Sequence, residues 1–165
     1  MPQRDIVLSN KISVIRRTVK RARDEYAAST DFETDYTHQD AAVLNLERAC
    51  QATISIANRV ISELDLRVPD SMRDSFNILT RERLISPKLG ASLEAMVGFR
   101  NIAVHAYKEL DLKVVEFIIM EGSKDLIAFA DVMADLDLQN PHRKKMYHSP
   151  SKPKTSRRIP VSTQS

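Results

Sequence analysis

Seven apolar side chains, Val43, Leu46, Cys50, Ile54, Ala57, Ile61 and Leu64, recur every three or four residues along one stretch of the chain. At about 100° per residue they fall on one side of a helix, whereas a strand would alternate them every second residue. Such a stripe has to be buried against other helices. The spacing repeats in Ile12, Ile15, Val19, Ala22 and Tyr26, then in Leu89, Leu93, Met96, Val97, Val104 and Tyr107. It returns in Val114, Phe117, Ile118, Leu126, Phe129, Val132 and Met133, in a last helix running to about Leu138. Three glycines, no tryptophan and few alternating stretches leave little material for a sheet. The expected fold is all-α, an antiparallel four-helix bundle with one extra short helix. A chain of 165 residues with 42% apolar content can enclose one core.

Punctuation residues set the expected boundaries. Ser29 to Gln39, rich in Asp and Thr, reads as a loop, with Asp40 as the cap of the second helix. Pro69 introduces the short helix near Ser71 to Thr80, Pro87 opens the fourth segment, and Asp111 caps the last helix. Gly122 is expected to loosen that last helix midway. The segment from Gln139 to Ser165 carries seven Lys or Arg and no acid, with Pro141, Pro150, Pro153 and Pro160 among serines. The net charge of +3 therefore conceals a body with 18 bases against 22 acids. The expected division is a helical domain over 1–138 and a basic, Pro/Ser/Lys-rich disordered tail over 139–165, which either reaches for RNA phosphates or an acidic partner or serves only as a solubilising extension.

The most chemically loaded stretch is Arg100-Asn-Ile-Ala-Val-His-Ala-Tyr107. A guanidinium grips phosphate through two donors, an imidazole moves protons near neutral pH, and a phenol offers a hydroxyl. Arg100 projects into the middle of an apolar stripe, where a permanent charge is costly unless it is paired or wet. It therefore faces a cleft, a partner subunit or an anion, unless it is simply salt-bridged within the bundle. On one straight helix His105 lies about 140° from Arg100, and Tyr107 returns to within about 20° of it. Convergence requires the helix to loosen near Val104 to Ala106, or two protomers to meet across a two-fold axis. Asn101, one turn before His105, can support either residue. Gly98, near the His105 face, permits close approach to the backbone.

Other chemistries find less support. No Glu-x-x-His pair, Cys-His zinc spacing or Gly-rich phosphate loop occurs, so neither a metal nor a cofactor is expected. Arg16, Arg17, Lys20, Arg21 and Arg23 crowd the first helix as an RNA path or as a solvated face balanced by Asp24 and Glu25. No run approaches the ~20 apolar residues of a membrane span, and no secretory pattern opens the chain. Cys50 is alone and reads as core filler, which suits a cytoplasmic protein.

The stretch from Met96 through Gly98, Arg100, His105 and Tyr107 to Asp111 closely resembles the signature of HepT-like toxins of the HEPN superfamily. Asn45 to Asn58 resembles that family's second helix, and Pro69 to Leu79 its connecting segment and short helix, so the likeness spans roughly 9–138. It implies a homodimeric, metal-independent endoribonuclease, the toxin of a prokaryotic type VII toxin–antitoxin pair. It further implies a partner, a minimal nucleotidyltransferase antitoxin that silences the toxin by attaching AMP to the motif tyrosine. Carried onto this chain, Arg100 and His105 are the catalytic pair, Tyr107 is the modified residue and a possible proton donor, and Asn101 is a supporting polar group. Ser55 and Arg59 depart from the pattern, standing where relatives often carry an acid and a histidine. The alternative is a non-catalytic bundle of the same superfamily that binds a nucleotidyltransferase or a nucleotide.

Overall fold

The computed structural model describes residues 5–136 and 138. The basic tail, 139–165, lies outside the described residues. Helix α1 (Ile6–Ala28) and helix α2 (Tyr36–Glu63) form a long hairpin joined by a short turn. The short α3 (Met72–Arg81) and then α4 (Pro87–His105) follow. A single 3₁₀ turn (Tyr107–Glu109) leads into α5 (Leu112–Phe117), a π-helical turn (Ile118–Gly122) and α6 (Ser123–Ala134). Helices α1, α2, α4 and α6 enclose one core, and α3 packs across α2 and α4. The described residues contain no strand.

The stripes on the first two helices are buried as their spacing requires. Ile12, Ile15, Val19 and Ala22 meet Val43, Leu46, Cys50, Ile54, Ala57 and Ile61, while Tyr26 is half-buried and stacks edge-on to Phe32. Small residues let the helices approach, and the hydroxyls among them are satisfied within their own turn: Thr18 and Thr53 each donate to the carbonyl four residues earlier, at 2.7 and 2.8 Å. Burial pushes the Cys50 thiol up to about 12, so it behaves as an apolar filler.

Two expectations need correction. Helix α2 begins at Tyr36, with Asp35 rather than Asp40 as its cap: the Asp35 carboxylate accepts from the His38 amide at 3.0 Å. The polar stretch up to Gln39 hid a first helical turn because that turn has no core to face. Second, Val104, Tyr107, Val114, Phe117 and Val132 are exposed rather than buried. Tyr107 lies beyond the end of α4 at His105, and the π turn at Ile118–Gly122 puts α5 out of phase with α6, so that Val115 and Ile119 are buried with Ile118 while Val114, Phe117 and Val132 are exposed; Val104 is exposed within the last turn of α4 itself. Gly122 closes that turn, as its expected loosening role requires. A Cβ there would lie 2.2 Å from Met96 Cε, so the glycine also admits α4 to close range.

Helices α2 and α3 both end with a residue in the left-handed region, Asp65 at φ 51° and Arg83 at φ 58°. In each case the next amide reaches back to a carbonyl five residues earlier, Leu66 to Ile61 at 3.0 Å and Leu84 to Leu79 at 2.9 Å. This is the Schellman closure that favours glycine. Arg83→Gly is expected to stabilise the chain by about 1 kcal/mol, raising its melting temperature by a few degrees. A calorimetric melt that moves downward would contradict this reading of the turn.

Candidate functional site

The motif straddles the end of α4. Ser86 caps that helix through a 3.1 Å bond from the Leu89 amide, with Pro87 at its first position. The helix then runs unbroken to His105. Ala106, at φ −141° and ψ 46°, leaves the helical region and starts the 3₁₀ turn that carries Tyr107. The helix thus ends inside the expected loosening segment, and Tyr107 is no longer tied to the face that a continuous helix would give it.

Arg100 is half-buried on the last turns of α4. Its Nε is enclosed without a hydrogen-bond partner, and one terminal nitrogen donates to Asn101 Oδ1 at 3.2 Å and rests 4.0 Å from Met72 Sδ. No carboxylate pairs with it among the described residues. The salt-bridged reading is therefore not what the fold realises, and the charge is free for an external anion.

Met72 is held in place by a polar clamp. Arg67 makes a forked pair with Asp74 at 2.6 and 2.8 Å, and the same carboxylate accepts from the Asp70 amide at 2.9 Å. The Arg67 guanidinium holds the Asp74 carboxyl down at about 2. Ser71 caps α3 through the Asp74 amide. The clamp fixes the start of α3 against α4, and with it Arg73, whose Nη2 would lie 2.8 Å from a Cβ at Gly98. The group that approaches Gly98 is therefore a second guanidinium, about two turns up the same helix from His105. Sequence reading anticipated the open backbone but had no signal for Arg73.

His105 is exposed at the last position of α4, one turn beyond Asn101. Tyr107 is 44% exposed, and its hydroxyl donates to Asp40 Oδ1 in the first turns of α2. Partial burial, then the Asp40 carboxylate, raise the phenol to about 12, so it keeps its proton at neutral pH. Asp40, read from the sequence as a cap, is thus a neighbour of the motif. Among the described residues no hydrogen bond links Arg100, His105 and Tyr107 to one another within one chain. Asn101 alone of the expected supporting groups touches Arg100.

Elsewhere, most of the α1 basic cluster serves the fold: Arg16 pairs with Asp131 at 3.0 Å, Lys20 with Asp24 at 2.7 Å, and Arg23 donates to Ser123. Arg59, at a departing position, binds Asp5, the cap of α1, at 2.7 Å. No cluster of three or more His, Cys, Asp or Glu side chains fit to hold a metal occurs among the described residues, nor any helix long and apolar enough to cross a membrane.

Residues 12–133 match the family model for HepT-like ribonucleases. The chain is 43% identical over 129 residues to the mRNA nuclease HepT of Shewanella oneidensis, covering 78% of this chain and 96% of that protein. Its fold superposes with a TM-score of 0.75, at 41% identity, on a tri-AMPylated S. oneidensis HEPN toxin in complex with an MNT antitoxin, over 79% of this chain and 98% of that one. A toxin–antitoxin structure with AMP-PNP gives 0.74 at 41% identity, over 78% and 97%. The cytosolic protein YutE of Bacillus subtilis shares the fold alone, with a TM-score of 0.64 at 19% identity over 76% and 87%. With a family match across most of its length and a close relative covered almost end to end, the chain belongs to the HepT-like ribonuclease family.

Proposed function

We propose that this chain is the endoribonuclease toxin of a type VII toxin–antitoxin pair, acting in the cytoplasm and silenced when a nucleotidyltransferase antitoxin attaches AMP to Tyr107. The observation that carries the reading is Arg100: a half-buried guanidinium with an enclosed, unpartnered Nε and no carboxylate beside it among the described residues, about 1.4 turns before an exposed imidazole. The two residues are about 7.5 Å apart along the axis but about 140° apart around a helix that runs unbroken to His105, so the reading requires the motif of a second copy of the chain to complete the pair at one phosphodiester. A bundle that only docked a partner would have no use for such a charge.

The chemistry is a transesterification. His105 takes the proton of a ribose 2′-hydroxyl, and that oxygen attacks the adjacent phosphorus. Arg100, oriented by Asn101, grips the non-bridging oxygens as their charge grows. The bond to the 5′-oxygen breaks, and that oxygen takes a proton from a second acid, either Tyr107 or His105 of a second copy of the chain. The products are a 2′,3′-cyclic phosphate and a 5′-hydroxyl. Arg73 beside Gly98 offers a contact for a neighbouring phosphate of the same strand. None of these steps requires a metal ion.

A homodimer brings the second copy. Ile102, Val104, Val114, Phe117 and Met120 are all exposed around the α4–α5 connection, and Phe117 shows 62% of its surface. A concentration of large apolar side chains next to the motif suits a subunit interface that assembles two motifs together. Attached AMP would set a bulky anion beside Arg100, competing for its charge and closing the pocket to RNA.

His105→Ala is expected to abolish RNA cleavage while leaving helicity and melting temperature intact, and Arg100→Lys to lose about 10²-fold or more because an ammonium lacks the guanidinium fork. Cleavage at the parental rate by either variant in a gel assay would refute the assignment. Incubation with the nucleotidyltransferase and MgATP should add adenylyl mass to a peptide containing Tyr107, and Tyr107→Phe should gain none; modification of another residue would relocate the control. Phe117→Asp is expected to halve the mass measured by light scattering, and an unchanged mass would place the interface elsewhere.

A further inference from the structure

We propose that Asp40 is the proton acceptor and positioning residue for the modification of Tyr107. This rests on the reading that Tyr107 receives AMP, and it assigns a group within the toxin itself to that reaction. Tyr107 stands outside α4 on a one-turn 3₁₀ helix, which by itself leaves the ring free to swing. The contact that fixes its hydroxyl comes from the far side of the chain, 67 residues earlier: the Asp40 carboxylate in the first turns of α2. Both residues are exposed, so an incoming partner reaches the hydroxyl without any unfolding. Asp40 has no cation among the described residues to engage it instead. Its place in the fold, past the cap at Asp35 and before the first buried residue at Ala42, gives it no packing duty.

The chemistry follows from the hydrogen bond. A phenol that keeps its proton at neutral pH is a poor nucleophile until a base removes it. As the Tyr107 oxygen attacks the α-phosphorus of a nucleoside triphosphate, the O–H bond breaks and the proton passes to Asp40. The new bond joins the tyrosine oxygen to phosphorus, and the bond from the α-phosphorus to the bridging oxygen breaks, releasing pyrophosphate. Asp40, exposed on α2, then gives that proton to solvent and returns to the carboxylate. The modified oxygen has no proton to donate, and its phosphodiester is an anion facing another anion, so the side chain is released from α2. The guanidinium of Arg100, unpaired with any carboxylate among the described residues, carries the charge that would attract it.

The test compares parent, Asp40→Asn and Asp40→Glu chains with the nucleotidyltransferase and MgATP, following AMP incorporation at Tyr107 by mass spectrometry across pH 6 to 9. Asn keeps the shape and can accept a hydrogen bond but cannot take a proton. The expected result is a loss of about 10²-fold for Asp40→Asn at neutral pH, the usual scale for removal of a general base. Its rate should climb with pH as free phenolate takes over, and Asp40→Glu should recover part of the loss. A difference titration against Tyr107→Phe should show the phenol of Asp40→Asn ionising at lower pH than in the parent. Asp40→Asn modified within about twofold of the parent, with the same pH profile, would overturn the inference while leaving the modification itself standing. A parent chain that takes up no AMP would remove both.

Discussion

A guanidinium that cannot lose its charge sits against the core of this bundle, with only a neutral amide and a thioether for company. Removing a cation from water without an opposite charge is unfavourable, and natural folds avoid it by pairing or by neutralising the group. Arginine has no neutral form to fall back on. The surrounding architecture therefore has to leave Arg100 partly wet and to supply polar contacts without cancelling its charge. The start of α3, which supplies Met72, brings no free acid with it: the Asp74 carboxylate is engaged by Arg67 and by the Asp70 amide. The start of α3 is thereby set beside α4 without delivering an acid to Arg100. What results is an uncancelled positive charge that suits an external anion far better than it suits a folded interior.

The buried half of each helix was legible because burial imposes periodicity. Ile15, Leu46, Leu93 and Phe129 are fully enclosed, at the helical spacing that marked them in the sequence. Pro87 and Asp111 mark starts of helices because a missing amide hydrogen and a capping carboxylate act locally. Two things were not legible. A first turn with no core contact, Tyr36 to Gln39, has no period to display, so its cap at Asp35 could not be told from Asp40. And a helical wheel is blind to its own interruptions: beyond His105 and through the π turn the phase slips, and Tyr107 and Phe117 emerge into solvent.

The site divides in the same way. Arg100, Asn101, His105 and Tyr107 were visible as residue types at fixed spacing, and the lack of an acid beside Arg100 agrees with its placement on an apolar stripe. Asp40 and Arg73 were invisible, because each reaches the motif from another helix and carries no pattern of its own. Gly98 was the one trace of Arg73. An absent side chain in the middle of a helix marks an approach, though it does not name what approaches.

Under the proposed function, this distribution would let the chain be switched without being unfolded. Arg100, His105, Tyr107 and Asp40 are all exposed or half-exposed, and none fills a gap in the core. The free energy that holds the bundle together comes from apolar surface on other faces of the same helices. The proposed AMP on Tyr107 would therefore add charge at the motif without touching the packing that keeps α4 in place. The Tyr107 hydroxyl already has the Asp40 carboxylate as its partner, which favours the free phenol, whereas a phosphate ester would favour the uncancelled guanidinium of Arg100. Under the proposed modification, a single covalent step would reverse which charge attracts the side chain and would require only its movement beyond the end of one helix.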